Sequence, residues 1–178
     1  AIRAYRLTQK EKWSEAAKAY EKALKRKYYK GQWELYLESA KAYTKAKNFS
    51  DALKVLKAIP AEYKDMMDYQ VTLATVHKEN NQPKKAAQTL LDFGAKHAQE
   101  LNIHQQLQQV LTEWKMTDAA KKEADIVAQL QQKEAAELQK AQQNLEQKNQ
   151  QTGAANTTDT TNSTNTDANK DSNQSEKK

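Results

Sequence analysis

Small, large and polar side chains recur in one arrangement at four places along the chain: residues 13–24 (WSEAAKAYEKAL), 49–59 (FSDALKVLKAI), 83–93 (PKKAAQTLLDF) and 116–127 (MTDAAKKEADIV). Each copy opens on a bulky or helix-breaking residue, continues with a polar pair and reaches alanine at the third place. Those alanines (Ala16, Ala52, Ala86 and Ala119) are spaced 36, 34 and 33 residues apart. In the first three copies a large side chain follows four residues later (Tyr20, Leu56, Leu90), with Ala23, Ile59 or Phe93 three beyond it. Positions i, i+4 and i+7 share one face of an α-helix. The small residue lets a neighbouring helix approach, and the large one fills the space beside it. In the fourth copy the large place falls on Glu123, unless the register slips by one residue to Ala120, Ala124 and Val127.

A second helix is predicted before each of these. Residues 33–47 put Tyr36, Ala40 and Tyr43 on one face with Leu37 beside it; residues 66–80 place Leu73, Ala74 and His77 similarly; residues 101–114 offer Ile103, Leu107, Val110, Leu111 and Trp114. The breaks fall at Gly31, at Pro60 and at the NNQP stretch ending on Pro83. Asn48-Phe49-Ser50 reads as a stop and restart, with Ser50 as the N-cap, worth roughly 1 kcal/mol. Short turns between helices make sequential neighbours antiparallel.

Paired helices at a period near 34 residues resemble the tetratricopeptide repeat (TPR). The residues that carry the likeness are Ala16/Tyr20/Ala23, Ala52/Leu56/Ile59 and Ala86/Leu90/Phe93 in the second helices, with Ala40/Tyr43 and Ala74/His77 in the first. The resemblance covers residues 1–130, strongest from Lys12 to Pro60. It implies an all-α, right-handed α-solenoid of helix–turn–helix repeats. The repeats are expected over residues 1–116, at about 1–30, 33–66 and 67–99, with a fourth hairpin from 100. It further implies a non-catalytic protein–protein interaction module that holds a protein or peptide in a groove lined by the first helices. Carried over by spacing, that groove takes Glu34, Leu37, Lys41, Thr44 and Lys45 from the second repeat. The third adds Asp68, Val71, Thr75, Lys78 and Glu79. Where some family members clamp a terminal carboxylate, this chain has Ala1, Tyr5, Glu38, Asp68 and Thr72, so that clamp is not expected.

Beyond the repeats the pattern changes. Residues 117–148 contain no Gly or Pro and are rich in Ala, Glu, Gln, Lys and Leu, which predicts one long helix whose start completes the fourth hairpin. Ala120, Ala124, Val127, Leu138, Ala141 and Leu145 fit a heptad seam, but Gln131 and Glu134 interrupt it, so a solvated helix and a monomer are expected over a coiled coil. In residues 149–178, nineteen of thirty are Ser, Thr, Asn or Gln and the only apolar residues are three alanines. A segment of that kind buries too little to offset its ordering entropy, which predicts a disordered polar tail.

Charge sharpens one end. The chain carries a net +6, yet residues 1–30 hold ten Lys/Arg against three Glu, a net of +7. Residues 31–148 hold sixteen of each sign. A basic excess confined to one end wants a local explanation rather than general nucleic-acid binding. Its densest part, Lys25, Arg26, Lys27 and Lys30, adjoins Tyr28, Tyr29, Trp33 and Tyr36. Cations there also complement a helix C-terminus, and Trp33 and Tyr36 suit the core of the next helix. For the cluster the expected partner is an acidic protein surface, then anionic lipid, with nucleic acid third. A basic surface-binding module using this end is the alternative function.

Several chemistries are excluded outright. With no cysteine there is no disulfide, Cys-ligated zinc or thiolate nucleophile, and three glycines leave no phosphate loop. The three histidines, His77, His97 and His104, have no carboxylate arranged by sequence to orient them, and a packed ring is expected for His77. Met66, Met67 and Met116 are expected as gap-fillers in the core. No catalytic, cofactor or metal site is expected, and the chain is read as not an enzyme. A mean hydropathy of −1.07 leaves no candidate span. The first repeat starts partway through its first helix, which suggests a fragment with structure before Ala1. The Asn/Thr/Gln/Lys-rich usage and missing cysteine lean towards a bacterial, tethered envelope protein, with a cytoplasmic site left open.

Overall fold

The computed structural model describes residues 1–29 and 31–155, the last six of them as backbone. Eight α-helices follow one another: α1 (Ile2–Gln9), α2 (Trp13–Leu24), α3 (Trp33–Lys45), α4 (Phe49–Lys57), α5 (Met67–Glu79), α6 (Pro83–Lys96), α7 (Leu101–Glu113) and α8 (Thr117–Ala155). Short 3₁₀ turns at Lys27–Tyr29 and Ala61–Tyr63 precede α3 and α5. No strand occurs among the described residues.

Ala1–Lys133 form one compact unit, and the described residues from Glu134 belong to a second. In the first unit each odd helix pairs with the even helix after it, and α2, α4 and α6 lie against α3, α5 and α7. Helices α3 and α5 also touch directly. This is the stacking of an α-solenoid, in which each hairpin buries its apolar face on the next.

The clearest mark of the repeat is a backbone feature. Glu11, Lys47, Asn81 and Lys115 have φ of 54°, 60°, 55° and 58°, at intervals of 36, 34 and 34 residues. Each closes the turn between the two helices of a hairpin. The N–H after it donates back to a carbonyl near the end of the first helix: Lys12 to Leu7, Asn48 to Tyr43, Gln82 to His77 and Met116 to Leu111, at 2.9–3.0 Å. A left-handed residue with that long backward bond is the Schellman ending of a helix, which satisfies carbonyls left without partners. Glycine normally takes this place; here none of the four is glycine.

The turns also settle the fourth copy. The left-handed residue stands five places before Ala16, Ala52 and Ala86, and five after Lys115 comes Ala120. The register therefore does slip by one, to Ala120, Ala124 and Val127, and Glu123 leaves the large-residue place. The N-cap of α4 is Asn48 rather than Ser50: its side chain accepts from the Asp51 N–H at 3.3 Å. Ser50 lies one residue too far along, already inside the helix. Pro83 opens α6 at its first position, where its missing N–H costs nothing.

The core is mostly small side chains with large ones set between them. Around α2–α5 it holds Ala16, Ala40 and Ala52 with Leu37, Tyr43, Leu56 and Ile59. Around α5–α8 it holds Ala74, Ala86 and Ala120 with Leu90, Phe93, Leu107 and Leu111. Trp33 stacks on Tyr63 at 5.4 Å between centroids and packs on the first cluster with Tyr36, as expected of core aromatics. Met67 and Met116 fill gaps on the second cluster, but Met66 is 42% exposed because it caps α5 from outside the helix.

Helix α8 runs to Ala155, seven residues past the end expected at 148, because Gln, Thr and Ala continue a helix without a stop signal. Its residues 134–149 are all exposed, Leu138 and Leu145 among them. The disordered tail expected from 149 lies, beyond Ala155, outside the described residues.

Candidate functional site

The face shared by α3 and α5 is where the groove was expected. Glu34, Lys41 and Lys45 recur at i, i+7 and i+11 on α3 and are exposed; Asp68 is exposed at the start of α5. Lys41 pairs with Glu38 at 2.8 Å. Val71 and Thr75 are half-buried, Val71 against the second core and Thr75 with its hydroxyl on the Val71 carbonyl. Two expected residues are not available to a ligand. Leu37 is buried in the first core, and Thr44 is buried with its hydroxyl donating to the Ala40 carbonyl at 2.8 Å. Both sit on the side of α3 turned towards neighbouring helices.

Lys78 and Glu79 take part in a chain of contacts along the turn edge. Glu79 accepts from Lys78 at 3.1 Å and from Lys47, in the turn of the repeat before, at 3.0 Å. These two lysines hold the Glu79 carboxyl below its usual range. Lys78 in turn lies 5.4 Å over the Trp114 ring of the repeat after. The pairs are partly exposed, so each contributes at most about 1 kcal/mol, but they occupy charges that the groove would otherwise offer.

The basic segment divides between two clefts. Lys25 borders a hollow of about 360 Å³ with Glu21, Leu24, Tyr36, Lys54, Val55 and Ala58. Arg26 belongs to a larger cleft of about 580 Å³ between α1 and α2. Its floor is Ala4, Leu7, Ala19 and Ala23, and Arg3, Lys18 and Lys22 stand around it with Arg26. Lys27 is exposed, as is Tyr28, whose ring meets Tyr29 edge-on at 4.9 Å. Lys30 lies outside the described residues. The contribution of Arg3, Lys18 and Lys22 was missed from the sequence. Its available signal was the Ala19/Ala23 pair flanked by lysines with the same spacing.

The histidines do find carboxylates, which corrects the sequence expectation. His97 Nδ1 is 2.7 Å from Glu100, and its Nε2 approaches Asp65 at 3.4 Å without hydrogen-bond geometry. His104 Nδ1 meets Glu123 at 2.6 Å with both side chains 1% exposed. Glu123 is nineteen residues away and on another helix, so no local spacing announces the pair. His77 is a packed ring as expected, hydrogen-bonded to Gln82 at 3.1 Å and held below its usual pKa by burial and then by Lys85. Among the described residues no group of three His, Asp or Glu could hold a metal ion, and no helix is long and apolar enough to cross a membrane.

Residues 7–70 match the family model described as tetratricopeptide repeat, from the end of α1 into α5. A solved structure described as "MamA RS-1 ArsTM double mutant" is similar at 18% identity and a TM-score of 0.49, over 74% of this chain and 72% of that one. No curated protein matches the chain.

Proposed function

We propose that this chain of TPR-like repeats is a non-catalytic protein–protein interaction module, an adaptor or scaffold within a larger, membrane-tethered bacterial protein or assembly. TPR repeats generally mediate protein–protein interaction. The observation that carries the reading is the exposed row Glu34, Lys41, Lys45 and Asp68 on adjacent first helices, held by hairpins whose turns repeat bond for bond. A rigid scaffold presenting a mixed-charge face suits a peptide or protein surface of mixed charge.

The alternative, a basic surface for anionic membrane or nucleic acid, draws on the exposed Lys25, Arg26 and Lys27 beside the exposed Tyr28. Salt separates the two, because binding dominated by phosphate contacts falls steeply with ionic strength. The test is a pull-down with the full chain, washed at low and high salt, beside Lys41→Glu/Lys45→Glu and Lys25→Glu/Arg26→Glu/Lys27→Glu. A defined protein retained at high salt, lost with the first variant and kept by the second, is the expected result. Retention of nucleic acid or lipid alone, lost with salt and with the second variant, would replace the reading by the alternative.

A further inference from the structure

Inside the array every first helix after α1 is covered by the second helix of the repeat before it. The cleft between α1 and α2 is the same surface with that place open. The turn register relates them: Glu11 corresponds to Lys47, a shift of 36 residues. Ala4 then corresponds to Ala40, Ala19 to Val55 and Ala23 to Ile59; these second-repeat residues are all buried, and α2 lies on that hairpin. Arg3 corresponds to Ser39, whose hydroxyl approaches the Ala17 carbonyl of α2 at 3.4 Å. In the second repeat the surface thus receives a helix.

The first cleft keeps that shape and changes its chemistry. Alanines at 4, 19 and 23 floor it, so a helix backbone can come close. Arg3, Lys18, Lys22 and Arg26 border it, against one carboxylate, Glu15, which is itself within 3.5 Å of Lys12. Among the described residues none of the four cations has a carboxylate partner. Lys18, Lys22 and Arg26 follow one another at four-residue spacing along the cleft. We propose that this cleft receives an amphipathic acidic helix of a partner protein, with small apolar residues on one face and a row of Glu or Asp one turn apart beside it. The proposal rests on the protein-interaction reading above and adds a second, separate surface to it. A second copy of this chain fits less well, because α8 residues 134–149, the exposed helix it could offer, carry both signs nearly equally. A flat membrane cannot reach the alanine floor.

The test uses the full chain and a labelled helical peptide of about twenty residues, with an Ala/Leu face and Glu at i, i+4 and i+8 along its flank. Fluorescence anisotropy reads its affinity for the wild type, Lys18→Glu/Lys22→Glu, Ala19→Phe and Lys41→Glu/Lys45→Glu. Circular dichroism checks that each variant is folded. The expected result is at least tenfold weaker binding to the first two variants and unchanged binding to the third. The same peptide with Lys for Glu should not bind. Equal binding of both peptides, or no effect of Lys18→Glu/Lys22→Glu, would overturn the proposal. Loss only with Lys41→Glu/Lys45→Glu would overturn it while leaving the α3/α5 reading intact. Wild-type dimerisation abolished by Lys18→Glu/Lys22→Glu in light scattering would assign the cleft to a second copy. Binding of anionic vesicles without the peptide would assign it to lipid.

Discussion

His77 occupies the place that Leu7, Tyr43 and Leu111 take in the other hairpins, the carbonyl that ends the first helix through the long backward bond. It is 5% exposed, so its ring serves as a packing group that happens to titrate. Burial chiefly, and Lys85 next, lower its pKa from 6.5. The folded state therefore resists a proton that the unfolded chain accepts readily. Below about pH 6.5 the unfolded state binds more protons, and stability falls as pH falls through that window. His77→Tyr, which installs the side chain found at position 43, should remove this acid-side loss. Urea titrations between pH 7.5 and 5.5 should show the variant gaining on the wild type as pH drops. A constant difference across that range would mean that His77 does not titrate differently on folding.

The hairpin turns show what an element can carry without its usual residue. A left-handed backbone costs an L-residue roughly 1–2 kcal/mol, while glycine takes it freely and gives back part of that in unfolded-state entropy. Lys115 at φ 58° is exposed, so its side chain adds little that glycine would forfeit. Lys115→Gly should stabilise the protein by about 0.5–1 kcal/mol in chemical denaturation, and Lys115→Val should destabilise it. Lys47 is a poorer site for the same change, since its amine also reaches Glu79 and the Phe49 ring. The turn of the second repeat has exchanged backbone ease for a contact to the third.

Across the array, the closest approach of helices is at Gly94. A Cβ there would stand 2.9 Å from Leu107 Cδ1 and 3.0 Å from Glu123 Oε1. Neither neighbour can yield easily, because Leu107 is fully buried and Glu123 is held by His104. Helices α6, α7 and α8 thus meet on a glycine and a buried polar pair, which join the third repeat to the fourth. Gly94→Ala should cost about 1–3 kcal/mol through overpacking. Gly31→Ala, with nothing within 4 Å of the added atom, should cost almost nothing in the same urea series. Equal effects at both sites would show that the three helices are not packed this closely.

The period of 34–36 residues, the helix type and the small-large face of each second helix were all legible in the sequence, because they depend on neighbours within two turns of one helix. Charge and composition likewise isolated the basic first thirty residues. Tertiary structure decided what depends on distant partners. It moved the fourth copy to Ala120 and buried Glu123 beside His104, a pairing that no helical spacing encodes. It withdrew Leu37 and Thr44 from the α3/α5 face, since which side of a helix is covered depends on where the next helix lies. It also gathered Arg3, Lys18, Lys22 and Arg26 around one cleft, which exists because a hairpin face shaped to receive a helix stands open between α1 and α2.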